Sequence, residues 1–394
     1  MTPTAQAISL EKIKFLCKRY HWLQWDEENQ ELCMFMDHQM LSTLRMCEQK
    51  FVYEHVLNLR PRGHKAWSLV FGAWLHFILQ EYYEYNRLND GKLIEINKFL
   101  QYCRAKWLEL NLDAYKDEDK YQDISGYDGA SALAVSYYAY YHEQRMRVVA
   151  TEIPFGFDKE VYLGKFWLEI EYIGIYVKCY LTGRMDLLID NGHKVGPVDH
   201  KHTHIFRGDE WTKYNPQDGI TGYIYATDAV IKKFFPDYDR VCRTGWIFHI
   251  QGKAPSVNRK TKSLNPRFKV TVIDKTDAHL LEYIKRQVET FKRALALLTL
   301  SKVPEWTTTS CHNIYNRRCE YVPVDEQDYN NREYIIKQFY HFTEQWNPLE
   351  PEKSLIVRDD VMNAVATPQI EVKPIGEQNV GTSQPEPNVS ADSE

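Results

Sequence analysis

The spacing of apolar and polar residues changes near residue 148. Before that point, residues 8–147 have a mainly helical pattern, which is strongest in residues 66–85, where apolar residues recur at helical spacing on almost every side. This spacing predicts a helix buried in the body of the fold. A second helical stretch, residues 129–146, carries a row of tyrosines that predicts an aromatic face packed against a sheet.

Beyond residue 148 the chain is rich in Val, Ile and Tyr, with stretches of alternation between Gly, Asn and Pro turns. Residues 147–157, 168–190 and 194–204 are predicted as consecutive strands. A helix over 217–235, strands over 243–252 and 267–274, and an amphipathic helix over 277–298 are predicted to follow. The order predicts an α/β core with a helical N-terminal elaboration.

Composition is typical of a globular protein with a large core, since 44% of the 394 residues are hydrophobic and 14% are aromatic. Charges at Glu11, Lys12 and Lys14 interrupt the apolar run that a secretory signal needs, and no stretch is long enough for a membrane span. We therefore expect a cytoplasmic protein without membrane association. The eight scattered cysteines are expected to be mostly buried thiols rather than a disulfide framework.

The formal net charge of −5 is unevenly distributed. Residues 367–394 hold five acids and one base, which leaves a net charge of about −1 for the rest of the chain. Net charge therefore does not exclude a polyanionic partner. Residues 351–394 are predicted to be an acidic, disordered tail, and docking of a partner on that tail is the alternative.

The stretch "VDHKHTH", residues 198–204, contains an acid, a lysine and three histidines within a predicted strand. Side chains alternate between the two faces of a strand, so Asp199 and Lys201 should point one way. His200, His202 and His204 should point the other way, where packing against a helix or polar satisfaction is the simpler role. The alternation thus argues against one site formed by both sets.

The preceding strand ends in "GRMDLLID", and a short turn around "NGH" should bring Asp186 beside Asp199 and Lys201. Two adjacent carboxylates need a cation to offset their repulsion, and oxygen ligands suit Mg²⁺ or Mn²⁺. A neighbouring lysine could steady or deprotonate a water for attack on a phosphodiester. The structural alternatives are a turn cap at Asp186 and an exposed ion pair between Asp199 and Lys201.

The "GRMD" and "VDHK" motifs resemble those of the PD-(D/E)xK nuclease superfamily, in particular its RecB-type branch of phage and CRISPR-associated exonucleases. Further motifs match this branch in order over roughly residues 41–325. These are Ser42, Cys47 and Phe51 in "LSTLRMCEQKF", Gly72 and His76 in "FGAWLHFILQEYYE", and Gln217 and Tyr223 in "NPQDGITGYIYAT".

The resemblance implies a restriction-endonuclease-like mixed sheet flanked by helices, with residues 148–350 as the nuclease core. Residues 1–147 would be a helical region that contributes the helix of His76 to that core. His76, Asp186, Asp199 and the backbone carbonyl of His200 would be metal ligands, and Lys201 would position or activate the water. Gln217 and Tyr223 would help to place the substrate, although the tyrosine comes six positions after the glutamine, where the family usually has it four positions after.

The resemblance also bears on the cysteines, because many relatives bind a 4Fe-4S cluster through four of them. Cys47, Cys311 and Cys319 match three of these positions, but Asp325 occupies the expected place of the last one. We expect a degraded cluster site without its fourth thiolate. A cluster completed by Asp325 or by another cysteine is the alternative.

The resemblance leads us to expect a Mg²⁺- or Mn²⁺-dependent deoxyribonuclease, an exonuclease acting on linear or single-stranded DNA ends in phage or bacterial recombination, replication or genome processing. A recombination or single-strand-binding protein is a candidate partner, in a bacterial or phage-infected cell. A basic loop between the last two predicted strands is a candidate DNA contact, and the alternative is a solvated hairpin loop without a DNA-binding role. The basic residues of this loop are Lys253, Arg259, Lys260, Lys262, Arg267 and Lys269.

Two other functions fit the same sequence. One is a non-catalytic protein that keeps the nuclease fold to bind DNA or another protein, which the full set of acids and lysine argues against. The other is a restriction-type endonuclease, which would cut inside circular DNA.

Overall fold

The computed structural model describes residues 8–62, 67–114, 126–141, 146–170, 173–203, 218–236, 241–252, 260, 267–300, 302–305 and 319–343. The helices are α1 Leu10–Arg19, α2 His38–Met46, α3 Glu48–Phe51, α4 Trp67–Leu88, α5 Ile96–Glu109, α6 Tyr127–Tyr141, α7 Asp218–Phe234, α8 Asp277–Leu298, α9 Val322–Asp325 and α10 Tyr329–Phe339. A π-helical turn, Val52–Val56, follows α3.

The strands are β1 Leu23–Asp26, β2 Glu31–Asp37, β3 Leu59–Pro61, β4 Arg147–Phe155, β5 Tyr162–Ile170, β6 Ile173–Asp190, β7 Val195–Thr203, β8 Thr244–Gln251, β9 Phe268–Asp274 and β10 Tyr340–Phe342. Eight of them form one sheet in the order β1-β2-β6-β7-β8-β9, with β4 and β5 also paired to β6. The sheet is mixed, because β2 runs parallel to β6 and β7 runs parallel to β8, whereas the other pairs are antiparallel.

Helices cover both faces of this sheet. Along β6, Leu188 enters one hydrophobic core, which also receives apolar residues of α1, α2, α7 and α8. Leu187 and Ile189 enter a second core on the opposite face, together with residues of α4, α5 and α6. Tyr137 and Tyr141, from the tyrosine row of α6, are buried in this second core. Helix α4 thereby lies directly over β4 and β6.

The predicted fold class is confirmed: the protein is an α/β structure whose large mixed sheet is flanked by helices. The strand and helix order from β4 to α8 also follows the sequence pattern, except for β5, which is a separate strand and begins at Tyr162, ahead of the predicted stretch 168–190. The pattern did not predict β1 and β2, through which the N-terminal region joins the main sheet beside β6. None of the described helices has the length and apolar content needed to cross a membrane.

The predicted tail, residues 351–394, lies outside the described residues, so its disorder and its docking role stay predictions. The boundaries at residues 147 and 350 likewise stay predictions.

Candidate active site

The site lies where β6 and β7 separate. The antiparallel register pairs Leu187 with Val198, so the next residues along the two strands are Asp186 and Asp199. Beyond this pair the ladder ends, and the Asp186 carboxylate accepts the backbone N–H of His200 at 2.8 Å. Because the N–H and C=O of one strand residue point to the same side, the His200 carbonyl is also directed towards β6. The divergence of the strands thus leaves backbone and carboxylate oxygens facing one gap.

A second carboxylate reaches Asp186 from β4. The register pairs Thr151 with Leu187 and Ile153 with Met185, which places Glu152 across from Asp186. Glu152 has a φ of 47°, in the left-handed region that non-glycine residues rarely occupy. Such backbone strain is concentrated at functional sites, where the surrounding structure holds it in place. Glu152 is not among the site residues predicted from the sequence, where its signal is an acid within a largely apolar strand.

Helix α4 completes the group with His76. Its Nδ1 lies 3.6 Å from Asp186 Oδ1, and 41% of the His76 side chain is exposed. Ligand atoms of His76, Glu152 and Asp186 all lie within 4.8 Å of one another, a spacing that one metal ion could bridge. His76 is therefore a half-exposed side chain facing a carboxylate rather than an enclosed core histidine.

The pKa values of the acids reflect their crowding. Burial and the charge of Asp186 raise the pKa of Glu152 to about 7, against the opposing effects of Arg184 and His76. Burial would also raise the pKa of Asp186, but His76, the contacts from His200 and the charge of Lys201 together lower it below its usual value. Burial and the charge of Asp186 both oppose ionisation of Glu152, and a metal cation bound between the two carboxylates would offset both effects.

Asp199 is held by the lysine of the same strand. Lys201 Nζ lies 2.9 Å from the Asp199 carboxylate, which is buried, whereas 42% of the lysine side chain is exposed. Burial raises the pKa of Asp199 in spite of Lys201. The described group of potential metal-binding side chains contains Glu152 in addition to His76 and Asp186, while Asp199 engages the lysine.

The histidines of β7 pack towards the N-terminal helices, as the alternation predicts. His200 contacts the rings of Tyr83 and Phe248, and His202 contacts Phe71 with 4.9 Å between ring centroids. His200 is nevertheless closer to the site than expected, since its Nδ1 lies 3.5 Å from Asp186 Oδ2. His204 lies outside the described residues.

Tyr223 projects from α7 towards the acids. Its ring makes an edge contact with Phe155 at 5.9 Å between centroids. Burial, followed by the charges of Asp199 and Asp186, raises its pKa well above the usual value, so the phenol remains protonated. Gln217, its expected companion, lies outside the described residues.

Two of the three cysteines of the predicted cluster site, Cys47 and Cys319, belong to the described residues. Cys47, at the end of α2, and Cys319 both pack against Val322. Asp325 is buried, accepts a hydrogen bond from Tyr53 at 2.6 Å, and has a pKa raised by burial. Cys311 lies outside the described residues, so the degraded cluster stays a prediction.

The basic loop is described in part. Lys260 is exposed, Arg267 is half-buried, and Lys269 pairs with His249 in the β8–β9 ladder. Lys253, Arg259 and Lys262 lie outside the described residues. The DNA contact assigned to this loop therefore stays a prediction.

Comparison with known proteins agrees with this geometry. The family model of the PD-(D/E)XK nuclease superfamily matches residues 38–324, a range that includes His76, Glu152 and both aspartates. The chain belongs to the PD-(D/E)XK nuclease superfamily. Within a superfamily of nucleases, acids at diverging strands beside a lysine are chemically suited to hold a metal ion and to assist phosphodiester hydrolysis.

Other comparisons add little to this superfamily assignment. None of the curated proteins compared with the chain matches it. A solved structure titled "Crystal structure of SSO0001" is similar at 10% sequence identity, over 55% of this chain and 85% of that chain, with a TM-score of 0.19.

Proposed function

We propose that this superfamily member is a Mg²⁺- or Mn²⁺-dependent deoxyribonuclease that uses Asp186, Asp199 and Lys201 for phosphodiester hydrolysis. The observation that carries the proposal is the placement of Asp186 within reach of His76 and Glu152, at the point where β6 and β7 diverge. Side chains from α4, β4 and β6 meet there within 4.8 Å, which suits a bridging cation better than packing alone.

The residues present fit a divalent metal ion. Glu152 and Asp186 supply carboxylate oxygens, His76 supplies an imidazole nitrogen, and the His200 carbonyl is directed to the same side of β7. Carboxylate and carbonyl oxygens suit Mg²⁺ and Mn²⁺, and an imidazole ligand is well tolerated by Mn²⁺. A bound cation would offset the burial and the charge of Asp186 that raise the pKa of Glu152. It would also polarise the phosphodiester and lower the pKa of a bound water.

The chain's own residues would then position the water, move its proton and donate hydrogen bonds near the acids. Lys201, held by Asp199 and half-exposed, can hold a water and take part in moving its proton. The protonated phenol of Tyr223 can donate a hydrogen bond next to the acids. Asp199 is buried and only 14% of the Asp186 side chain is exposed, so little bulk water would screen their electrostatic contacts with the reacting phosphate.

The finer assignment follows from the sequence motifs. Their order resembles the RecB-type branch, which supports an exonuclease acting on linear or single-stranded DNA ends in recombination, replication or genome processing of a phage or bacterium. The half-exposed His76 and Lys201 support access by an extended substrate rather than a small enclosed one. A recombination or single-strand-binding protein would be a natural partner for such an enzyme.

End-labelled linear DNA and covalently closed circular DNA, each incubated with the purified protein and Mn²⁺ with or without a chelator, test this proposal. We expect chelator-sensitive release of label from linear DNA and no cutting of the circle. Cutting of the circle would instead indicate a restriction-type endonuclease. Binding of either DNA without cleavage would indicate the non-catalytic alternative.

A further inference from the structure

A continuous row of buried polar groups leads from the N-terminal helices to Asp186. The hydroxyls of Tyr83 and Tyr137 lie 2.6 Å apart, on α4 and α6. The Tyr137 hydroxyl lies 3.3 Å from Nε2 of His200, on β7. On the other side of the same ring, Nδ1 lies 3.5 Å from Asp186 Oδ2. Three side chains therefore connect two helices to a carboxylate of the candidate metal site.

All three side chains are enclosed. Tyr83 is 5% exposed, Tyr137 is 1% exposed and His200 is 4% exposed. A buried hydroxyl or imidazole nitrogen that loses its partner has no bulk water to replace it, so each group depends on the next one. The row is thus a connected network rather than a set of independent contacts.

Asp186 and the Tyr137 hydroxyl act on opposite nitrogens of the His200 ring, and both can stabilise the same tautomer. A neutral imidazole carries a proton on one nitrogen and a lone pair on the other. A lone pair on Nδ1 would face the Asp186 carboxylate and be repelled, so the proton belongs on Nδ1. Nε2 then accepts from the Tyr137 hydroxyl, and the oxygen of Tyr137 accepts from the Tyr83 hydroxyl. One assignment of protons satisfies every member.

We propose that Tyr83 and Tyr137 hold His200 as the tautomer protonated on Nδ1, and that His200 thereby fixes the orientation of the Asp186 carboxylate. The inference rests on the proposed function in that Asp186 is taken as a metal ligand. His200 is a positioning residue in this account, because both its backbone N–H and its ring face the same Asp186 oxygen. Partners of metal ligands of this kind commonly change metal affinity 10–100-fold when removed.

The test combines ¹⁵N NMR of histidine-labelled, metal-free protein with calorimetric titration of Mn²⁺ alone. The His200 signal is identified by its loss in His200→Gln. We expect His200 of the unaltered protein to be protonated on Nδ1. We expect Tyr137→Phe to shift it towards the Nε2 tautomer and to weaken Mn²⁺ binding about 10-fold.

Tyr138→Phe is the matched control, because the Tyr138 hydroxyl donates to the Ile94 carbonyl, away from His200. This variant should keep both the tautomer and the Mn²⁺ affinity. Tyr83→Phe should change the His200 tautomer and the Mn²⁺ affinity in the same direction as Tyr137→Phe. If Tyr137→Phe does not fold, Tyr83→Phe provides the test.

A His200 protonated on Nε2 in the unaltered protein would overturn the inference. An unchanged tautomer and Mn²⁺ affinity in the folded tyrosine variants would also overturn it. The proposed function fails separately: a protein with the expected tautomer that binds Mn²⁺ but cuts no DNA would refute the nuclease proposal alone.

Discussion

Glu152 faces Asp186 across the β4–β6 pair, and burial together with the charge of Asp186 raises the Glu152 pKa to about 7. A carboxyl with this pKa is only partly ionised near neutral pH, and its carboxylate must form before it can bind a metal. The pair therefore links metal binding, pH and the stability of the sheet, and each link can be measured.

Glu152→Gln should abolish most of the stabilisation that the protein gains from Mn²⁺. The amide keeps the shape of the side chain but removes one anionic ligand, so metal affinity should fall at least 10-fold while the metal-free melting temperature stays equal or rises. Thermal unfolding with and without Mn²⁺ measures both effects, since a ligand stabilises only the state that binds it. Glu169→Gln, an exposed acid on β5, is the control and should retain the full shift. A full Mn²⁺-induced shift in Glu152→Gln would show that Glu152 is not a ligand.

The stability of metal-free protein should depend on pH through the same residue. Glu152 has a folded-state pKa of about 7, against 4.5 as its ordinary value. Below pH 4.5 the carboxyl is protonated in both states and carries no penalty. As pH rises from 4.5 to 7, the unfolded chain releases its proton first, and stability should fall by an amount on the order of 3 kcal/mol. Denaturant unfolding of Glu152→Gln and the unaltered protein in chelator should diverge over this window, and parallel curves would contradict the assigned pKa.

Lys201→Met should separate binding from cleavage. The substitution keeps much of the aliphatic stem but removes the ammonium, which lies 2.9 Å from Asp199 and has no lone pair to offer a metal ion. Proton transfer by a positioned side chain commonly contributes 10²- to 10⁴-fold to the rate. We expect a loss of cleavage rate of that order, with Mn²⁺ affinity within a few-fold of the original. Lys194→Met, in the exposed turn before β7, is the control; equal cleavage by the two variants would exclude Lys201 from the chemistry.

Gly72 lies one turn before His76 in α4. Replacing it with alanine should raise the stability of the protein and lower its cleavage activity. Among the described residues, no atom lies within 4 Å of a Cβ built at Gly72, so packing does not require glycine. Glycine within a helix costs about 1 kcal/mol relative to alanine. Gly72→Ala should therefore raise the melting temperature, and Gly72→Leu should leave the protein folded with Mn²⁺ affinity unchanged.

We expect cleavage to decrease from Gly72 to alanine to leucine, because Gly72 and His76 lie four residues apart on one face of α4 and a larger side chain there would narrow the space beside His76. Steady-state kinetics on labelled DNA should show the loss mainly as an increased KM. Ala73→Leu, one exposed position further along α4, provides a comparison of equal size. Equal KM values for Gly72→Leu and Ala73→Leu would mean that the open space has no role in substrate binding.

The sequence could predict the parts of the fold that have a clear period. Helical spacing predicts the helices over residues 66–85 and 277–298, and alternation around a turn predicts β6 and β7. The turn also predicts that Asp186 and Asp199 lie close together. Strand β2 was not, because Leu32–Met36 is an apolar run buried on both faces, which has no period of two. Such a run cannot be distinguished from a buried helix by pattern alone.

The candidate site shows the same limit. Asp199 and Lys201 are close in sequence, so strand alternation suffices to pair them. Glu152 joins Asp186 through the register of β4 on β6, a non-local pairing that no spacing encodes. The role of the His200 ring depends on Tyr137 of α6, and therefore on how that helix packs over the sheet.

The central claim is that Asp186 serves the chemistry of phosphodiester hydrolysis rather than the fold. It is tested most directly by comparing unaltered protein and Asp186→Asn for Mn²⁺-dependent release of nucleotides from end-labelled linear DNA, with circular dichroism to verify folding. We expect chelator-sensitive cleavage by the unaltered protein and a loss on the order of 10³-fold in the folded Asn variant. Cleavage by Asp186→Asn at the original rate, or no cleavage by the unaltered protein with either Mn²⁺ or Mg²⁺, would contradict it.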